Sequence, residues 1–253
     1  MPGTSDPDSA RARLREDKDL VRAMLGDDRL FNRLTADEES LVRVSPWLFF
    51  TVLLRRARHD LELEVFTFEK RDRQKVLLFD TDRVIRLLDQ ESMLDYLATM
   101  LASFTRIESV TIPHRVRKGV WRRHRINDLD VEGLMRQCQM LDRAFHFEPY
   151  KRIGDVCLFL CGMFPEYIDA QVRYPASHER RPRSKSRIIQ SREDYENHGQ
   201  AFYRLAAEHE RAGVEDLDTV LMTLSQNFVL AEKPIAFLAK RYLGFKRQRL
   251  FGT

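Results

Sequence analysis

Two stretches of the chain are apolar on every side of a helix. Trp47 to Leu54 reads WLFFTVLL, and Val156 to Phe164 reads VCLFLCGMF. A helix without a polar face has no side to offer water, so it is buried in the interior of a protein. Both runs are far shorter than the roughly 20 residues needed to cross a bilayer. We therefore expect central helices from Pro46 to about His59 and from Pro149 to Phe164, and no membrane association.

Capping residues indicate where several helices begin. A Ser or Thr side chain at the N-cap can accept a hydrogen bond from a free backbone N–H, and an acid three residues later can return one. Proline is favoured directly after such a cap because its missing N–H would have no helical partner there. The pairs that fit are Ser45 with Pro46, Thr35 with Glu38, and Ser191 with Asp194.

The C-terminal third shows helical spacing of apolar residues. The helix that begins at Ser191 is predicted to turn Tyr195, Gly199, Phe202 and Ala206 inward and to end at Gly213. Two further helices are predicted from Leu217 to Ala231 and from Pro234 to Leu243. This part of the chain is therefore expected to be helical throughout.

Two segments have the pattern of strands. Val65 to Phe68 and Val76 to Phe79 are rich in β-prone residues and flank a polar turn-like sequence, which predicts a β-hairpin over about 63–80. Residues 109–127, SVTIPHRVRKGVWRRHRIN, contain Pro113 and a plausible turn at Lys118-Gly119. A second small hairpin or an ordered loop is expected there. Residues 169–190 have no apolar period and predict an exposed basic loop.

These patterns predict a mainly α-helical fold. We expect one helical-bundle-like domain over residues 1–253, with about nine helices and one or two small β-hairpin insertions. The chain has 253 residues, enough to bury a large core without disulfides. Cys157 and Cys161 lie inside an apolar run, so we expect reduced, buried thiols. The N-terminal sequence is that of neither a secretory signal nor a transit peptide, which favours the cytoplasm.

Charge is distributed very unevenly along the chain. Residues 114–125, 178–192 and 233–253 together hold 18 Lys or Arg and one Glu, a net charge of +17 over 48 residues. The other 205 residues carry −13, so the overall net charge of +4 hides a strong polarisation. Such runs are typical of proteins that bind polyanions, but they also occur as solvated loops or pair with the acidic part of the same protein.

The first two basic runs contain the candidate binding residues. Guanidinium groups form bidentate hydrogen bonds with phosphates, and an indole offers a face on which a base can stack. The candidates are Arg115, Arg117, Lys118, Trp121, Arg122, Arg123 and Arg125 in the first run and Arg180, Arg181, Arg183, Lys185 and Arg187 in the second. They predict contact with nucleic acid or, alternatively, with an acidic protein.

An enzymatic alternative rests on arginine and histidine. Arg204 and His209 are spaced in a way that resembles HEPN-type helical ribonucleases, in which such a pair acts at the scissile phosphate. Arginine is so frequent in this chain that several matches to this spacing are expected by chance. The resemblance would imply a metal-independent ribonuclease.

Known catalytic and cofactor motifs do not occur. The sequence has no paired CxxC or HxxxH, and no GxxxxGK[ST], GxGxxG or GxSxG. We therefore predict no catalytic residue, no metal and no cofactor. The sequence favours a non-enzymatic binding protein that engages nucleic acid or another polyanion through basic loops. The alternatives are the ribonuclease and an assembly subunit that docks its basic loops on an acidic protein; a homo-oligomer is compatible with the sequence but not indicated.

Overall fold

Helices make up most of the chain in the computed structural model, as the sequence predicts. The structure describes residues 28–36, 44–63, 68–71, 74–77, 81–105, 109–117, 120–127, 129–168, 191–244 and 246–251. The predicted loop at 169–190 lies outside these residues. The assignment of a single domain stays a prediction.

The elements follow one another in a simple order. The first half contains α1 (Asp28–Ala36), α2 (Pro46–Leu63), β1 (Phe68–Arg71), β2 (Gln74–Leu77), α3 (Thr81–Leu88), α4 (Glu91–Ser103), β3 (Ser109–Arg117) and β4 (Val120–Asn127). The second half contains α5 (Val131–Met140), a 3-10 turn (Arg143–Phe145), α6 (Phe147–Met163), α7 (Arg192–Ala207), α8 (Glu210–Val214), α9 (Asp218–Gln226), α10 (Phe228–Leu238), a π-helical turn (Ala239–Leu243) and α11 (Lys246–Leu250).

The strands form two separate antiparallel pairs. β1 pairs with β2, with Phe68 opposite Leu77. β3 pairs with β4, with Ser109 opposite Asn127, and the register shifts between Arg115 and Arg117. Each pair joins strands that are neighbours in the sequence.

Helix α6 lies at the centre of the helical core. It packs most extensively against α7 and also contacts α10 and α5. Three glycines permit this close approach. A Cβ on Gly199 would lie 2.2 Å from the Phe228 ring, and a Cβ on Gly154 or Gly162 would lie 2.7 Å from Tyr203 or Ile235, respectively. Small residues at these positions let the helix backbones come together.

Both predicted central helices are buried. Phe50, Leu53 and Leu54 in α2 have no exposed surface, and Leu160 in α6 is 3% exposed. The prediction that a helix without a polar face is buried is therefore confirmed for both helices. Charged residues appear only in the later turns of α2, where Arg55 forms an ion pair with Glu91 of α4.

Two of the predicted caps are confirmed. The Ser45 hydroxyl accepts a hydrogen bond from the Leu48 N–H at 3.2 Å. Ser191 and Asp194 form a reciprocal capping box at the start of α7. Thr35 is different: it lies in the last turn of α1, where its hydroxyl donates to the Phe31 carbonyl, so it does not begin a helix.

Two predicted helix boundaries and one predicted buried residue in the last third are wrong. Helix α7 ends at Ala207, because His209 is extended and caps a new short helix, and Gly213 lies inside that helix. Tyr203 is buried in place of Phe202, because its hydroxyl reaches the buried Asp155 of α6. The next break falls at Asn227, whose side chain donates to the Thr223 carbonyl, while Pro234 lies within α10.

Candidate functional site

The first basic run occupies the paired strands β3 and β4. We call residues 109–127 the basic segment. The candidate residues Arg115 and Arg117 lie on β3, and Trp121, Arg122, Arg123 and Arg125 lie on β4. The candidate Lys118 lies between the strands, outside the described residues. The backbone register thus places six of the seven candidates of this run on two neighbouring strands.

The second basic run is described only at its end. The candidates Arg180, Arg181, Arg183, Lys185 and Arg187 all lie outside the described residues. Arg192, the last cation of the run, begins α7, where its guanidinium contacts Glu196 at 2.9 Å and the buried Glu232 of α10 at 2.5 Å. This arginine is part of the packing between α7 and α10.

The third basic run contributes to the fold through its side chains. Lys246 donates to the Thr35 carbonyl at the end of α1 at 3.0 Å, and Arg247 donates to the Met163 carbonyl at the end of α6 at 2.7 Å. The last carbonyls of a helix lack helical partners and carry the negative end of its dipole, so cations stabilise them. These two cations have a structural role that the sequence alone did not reveal.

The predicted ribonuclease residue His209 is held by the backbone. Its Nδ1 accepts a hydrogen bond from the Arg211 N–H at 3.2 Å, which caps α8, and its Nε2 donates to the Arg143 carbonyl at 3.1 Å. Both ring nitrogens therefore have a partner in the fold, and this pair of bonds fixes one neutral tautomer. Arg204 is exposed on α7. A general base needs a free nitrogen, and His209 has none in this arrangement.

A buried carboxylate forms a polar centre in the core. Asp155 of α6 is 2% exposed, and its Oδ1 accepts hydrogen bonds from the Tyr96 hydroxyl at 2.7 Å and the Tyr203 hydroxyl at 2.9 Å. Its Oδ2 lies 3.4 Å from the Lys151 ammonium, one helical turn earlier. A buried charge is tolerated only when it is paired and hydrogen-bonded, and Asp155 meets both conditions.

The environment shifts the pKa of the groups around Asp155. Burial raises the pKa of Tyr96 and Tyr203 well above the usual value, and the nearby Asp155 charge raises it further. The same carboxylate raises the pKa of Lys151. The tyrosines thus stay neutral donors and the lysine stays charged at neutral pH. This arrangement links α4, α6 and α7 and has the features of a structural anchor.

The three cysteines lie in surroundings that disfavour the thiolate. All three are free and buried, as predicted for Cys157 and Cys161. Burial raises the pKa of Cys138 to about 11, and it raises the pKa of Cys157 and Cys161 as well, with the Glu232 charge adding to the effect at both. A reactive thiol needs an accessible, electropositive setting that lowers its pKa. These thiols have the opposite environment.

The described residues contain neither a cluster of metal ligands nor a membrane-spanning helix. They contain no group of three or more His, Cys, Asp or Glu side chains that could hold a metal ion. Within the same part of the chain, no helix combines the length and the apolar character needed to span a membrane. Comparisons of the chain with protein-family models, with curated proteins and with solved structures find no match.

Sequence reasoning missed the partners of the two buried acids. The sequence patterns predict no role for either Asp155 or Glu232. The signal available for Asp155 was a carboxylate inside an apolar run with Lys151 four residues earlier, the spacing of an ion pair on one helix face. Its tyrosine partners are 59 and 48 residues away and carry no such local signal.

Proposed function

We propose that the protein is a non-enzymatic helical binding protein that engages nucleic acid through the basic segment. The observation that carries the proposal is the composition of residues 114–125, which hold six Lys or Arg and no acid around Trp121. Cations supply the attraction to phosphates, and an aromatic ring adds stacking with unpaired bases. We therefore expect the ligand to be single-stranded nucleic acid.

The backbone register of the basic segment supports this proposal. Arg115 is directly opposite Trp121 across the strand pair. Because successive residues of a strand alternate between its two faces, Trp121 shares a face with Arg123 and Arg125, and opposite residues share it too. Three arginine positions and the tryptophan position thus fall on one face of the pair. Such a face suits a single-stranded nucleic acid, which presents both phosphates and unpaired bases.

The other candidate regions receive less support. In the third basic run, Lys246 and Arg247 bind backbone carbonyls, so they contribute to the fold. The ribonuclease alternative is not favoured, because both ring nitrogens of His209 are engaged with the backbone. An acidic protein partner would also bind a basic segment, and the experiment must separate it from nucleic acid.

The test compares two variants of equal net charge. One replaces Arg115, Arg123 and Arg125, the arginine positions on the face of Trp121, with Gln, and the matched control replaces Arg33, Arg143 and Lys240, which are exposed on other elements. Binding of a fluorescent single-stranded oligonucleotide is measured at ~50 mM salt by anisotropy. We expect the first variant to lose most of the affinity and the control to keep it. Replacing Trp121 with Ala should weaken binding by roughly 1–3 kcal/mol.

Four results would contradict the proposal. Equal affinity losses in both triple variants would mean that only net charge matters. A lower melting temperature of the first variant would assign these arginines to the fold. Absence of binding by the wild type at ~50 mM salt, with binding of an acidic protein retained, would favour the acidic-partner alternative. Cleavage of the oligonucleotide without metal would favour the ribonuclease.

A further inference from the structure

Large apolar side chains are exposed around the 3-10 turn that joins α5 to α6. Met140 is 57% exposed and Phe145 is 67% exposed. Val214 of α8, a helix attached to this turn, is 82% exposed. Single apolar residues are common on a protein surface, but several in one region mark a site of interaction with another molecule. We call the exposed side chains of residues 140–148 and 208–218 the turn surface.

Hydrogen bonds fix the turn and attach α8 to it. The His146 Nε2 donates to the Leu141 carbonyl at 2.9 Å, which closes the loop that carries Phe145. The Arg143 carbonyl of the same loop accepts a hydrogen bond from His209, the N-cap of α8. The Phe145 ring therefore lies on a backbone that is already ordered. An ordered surface loses less conformational entropy when a partner binds to it.

The turn surface is strongly acidic. Residues 140–148 and 208–218 contain seven Asp or Glu and two Arg, a net charge of −5, and all seven acids are exposed. Arg211 forms ion pairs with Glu148 and Glu215, at 3.5 and 2.7 Å. Exposed charges attract a partner of the opposite sign, and this attraction weakens as salt is added. The partner that suits the turn surface is therefore basic and also has an apolar or aromatic side chain.

The basic segment has both of these properties. Residues 114–125 hold six Lys or Arg and no acid around Trp121. In the backbone register, Trp121 shares one face of the strand pair with three arginine positions. Within one chain, β4 and the turn surface lie at opposite ends of α5, a helix of ten residues. We propose that the turn surface binds the basic segment of a second copy of this chain.

A dimer with two-fold symmetry forms this contact twice, because each copy has both a turn surface and a basic segment. The arginines of one copy pair with the exposed acids of the other, and Trp121 packs against Phe145 and Met140. Aromatic anchors within a polar rim are the usual composition of a protein interface. The same arginines cannot bind phosphates at the same time, so nucleic acid competes with the second copy. The contact between the two copies does not itself depend on nucleic-acid binding.

Sedimentation velocity at ~50 mM and ~500 mM salt tests the association. The wild type should dimerise at the lower salt concentration and dissociate at the higher one. Phe145→Ser should weaken the dimer about ten- to thirtyfold, whereas Leu63→Ser, at an equally exposed position at the end of α2, should leave it unchanged. A wild type that stays monomeric at ~50 mM salt, or equal losses in the two Ser variants, would overturn the proposal.

A second pair of variants tests the charge complementarity. Glu210→Gln/Asp216→Asn removes two acids from the turn surface, and Asp82→Asn/Glu193→Gln removes two exposed acids from other helices. The first variant should weaken the dimer and the second, which has the same net charge, should keep it. Circular dichroism should give both variants melting temperatures near that of the wild type. Dimers of equal strength in the two variants would contradict docking on the turn surface.

Mixing two variants tests whether the contact joins two copies. Phe145→Ser retains the basic segment, and the variant with Arg115→Gln, Arg123→Gln and Arg125→Gln retains the turn surface. Neither should dimerise alone at the concentration at which the wild type does, but their mixture should form a heterodimer through the one intact contact. A mixture that stays monomeric, as docking within one chain predicts, would overturn the proposal.

Oligonucleotide binding separates this inference from the proposed function. Phe145→Ser should bind the single-stranded oligonucleotide at least as well as the wild type, since its basic segment is intact. A wild type that binds the oligonucleotide but stays monomeric would refute the dimer contact alone. A wild type that dimerises as described but does not bind the oligonucleotide would support the dimer contact and refute the nucleic-acid proposal.

Discussion

The close packing of α6, α7 and α10 at Gly199 predicts how much stability a larger residue there would cost. Replacing Gly199 with Ala places a Cβ 2.2 and 2.3 Å from two atoms of the Phe228 ring and 3.1 Å from the Cβ of Cys157. All three residues are in helices of the core, so the ring cannot move without displacing its neighbours. Overpacking of this kind costs about 1–3 kcal/mol of unfolding free energy. Alanine has a better helix propensity than glycine by about 1 kcal/mol, which offsets part of the strain.

Gly213→Ala is the matched control for this substitution. Gly213 is exposed in α8, and no atom lies within 4 Å of its added Cβ. There the propensity gain of up to about 1 kcal/mol acts alone. Urea denaturation followed by circular dichroism should show Gly199→Ala less stable than the wild type and Gly213→Ala at least as stable. Equal stabilities of the two variants would refute the close approach of α6, α7 and α10.

Three other predictions concern the buried polar groups. Asp155→Ala leaves the Tyr96 and Tyr203 hydroxyls without their acceptor, whereas Tyr203→Phe removes one hydrogen bond to a charged group, worth about 1.5–3 kcal/mol. In urea denaturation, Asp155→Ala should therefore lower the unfolding free energy more than Tyr203→Phe does. The reverse order would contradict the role of Asp155 as a structural anchor. Because both tyrosines have raised pKa values in the fold, the unfolded chain loses their protons first above about pH 10, and stability should fall as the pH rises further. The Tyr96→Phe/Tyr203→Phe double variant should show a shallower fall between pH 9 and pH 11, and an identical slope would be inconsistent with this reasoning. Cys157 and Cys161 should react with an aromatic disulfide reagent, as measured by absorbance, only when the protein is in denaturant. Rapid reaction of the native protein would contradict their burial.

Local signals predicted those parts of the fold that depend on a short stretch of sequence. The α2 and α6 segments lack a polar face, and the caps at Ser45 and Ser191 need only residues three positions away. The end of α7 was mispredicted because the His209 cap depends on a contact with Arg143, 66 residues away. Helical periodicity also does not show which of the neighbours Phe202 and Tyr203 is the more deeply buried. Tyr203 is, because its hydroxyl reaches the buried Asp155.

The candidate site was predictable as a charge pattern but not as a set of contacts. The sequence places the candidate residues in the first two of three basic runs and assigns the third run no role. Folding distinguishes the third run, because Lys246 and Arg247 meet helix ends that only the tertiary structure brings near. Arg192 likewise leaves the second run to join Glu232. The first run remains the strongest candidate, since its backbone register gathers Trp121 and several arginine positions on one face.

The salt dependence of nucleic-acid binding tests the central claim most directly. Each cation that contacts a phosphate releases condensed counterions and adds about 0.7 to the slope of log affinity against log salt on a single strand. Anisotropy titrations between ~50 and ~200 mM salt compare the wild type with the variant in which Arg115, Arg123 and Arg125 are Gln. We expect the slope of this variant to be flatter by about two units, from three lost contacts. An unchanged slope would show that the basic segment does not contact phosphates.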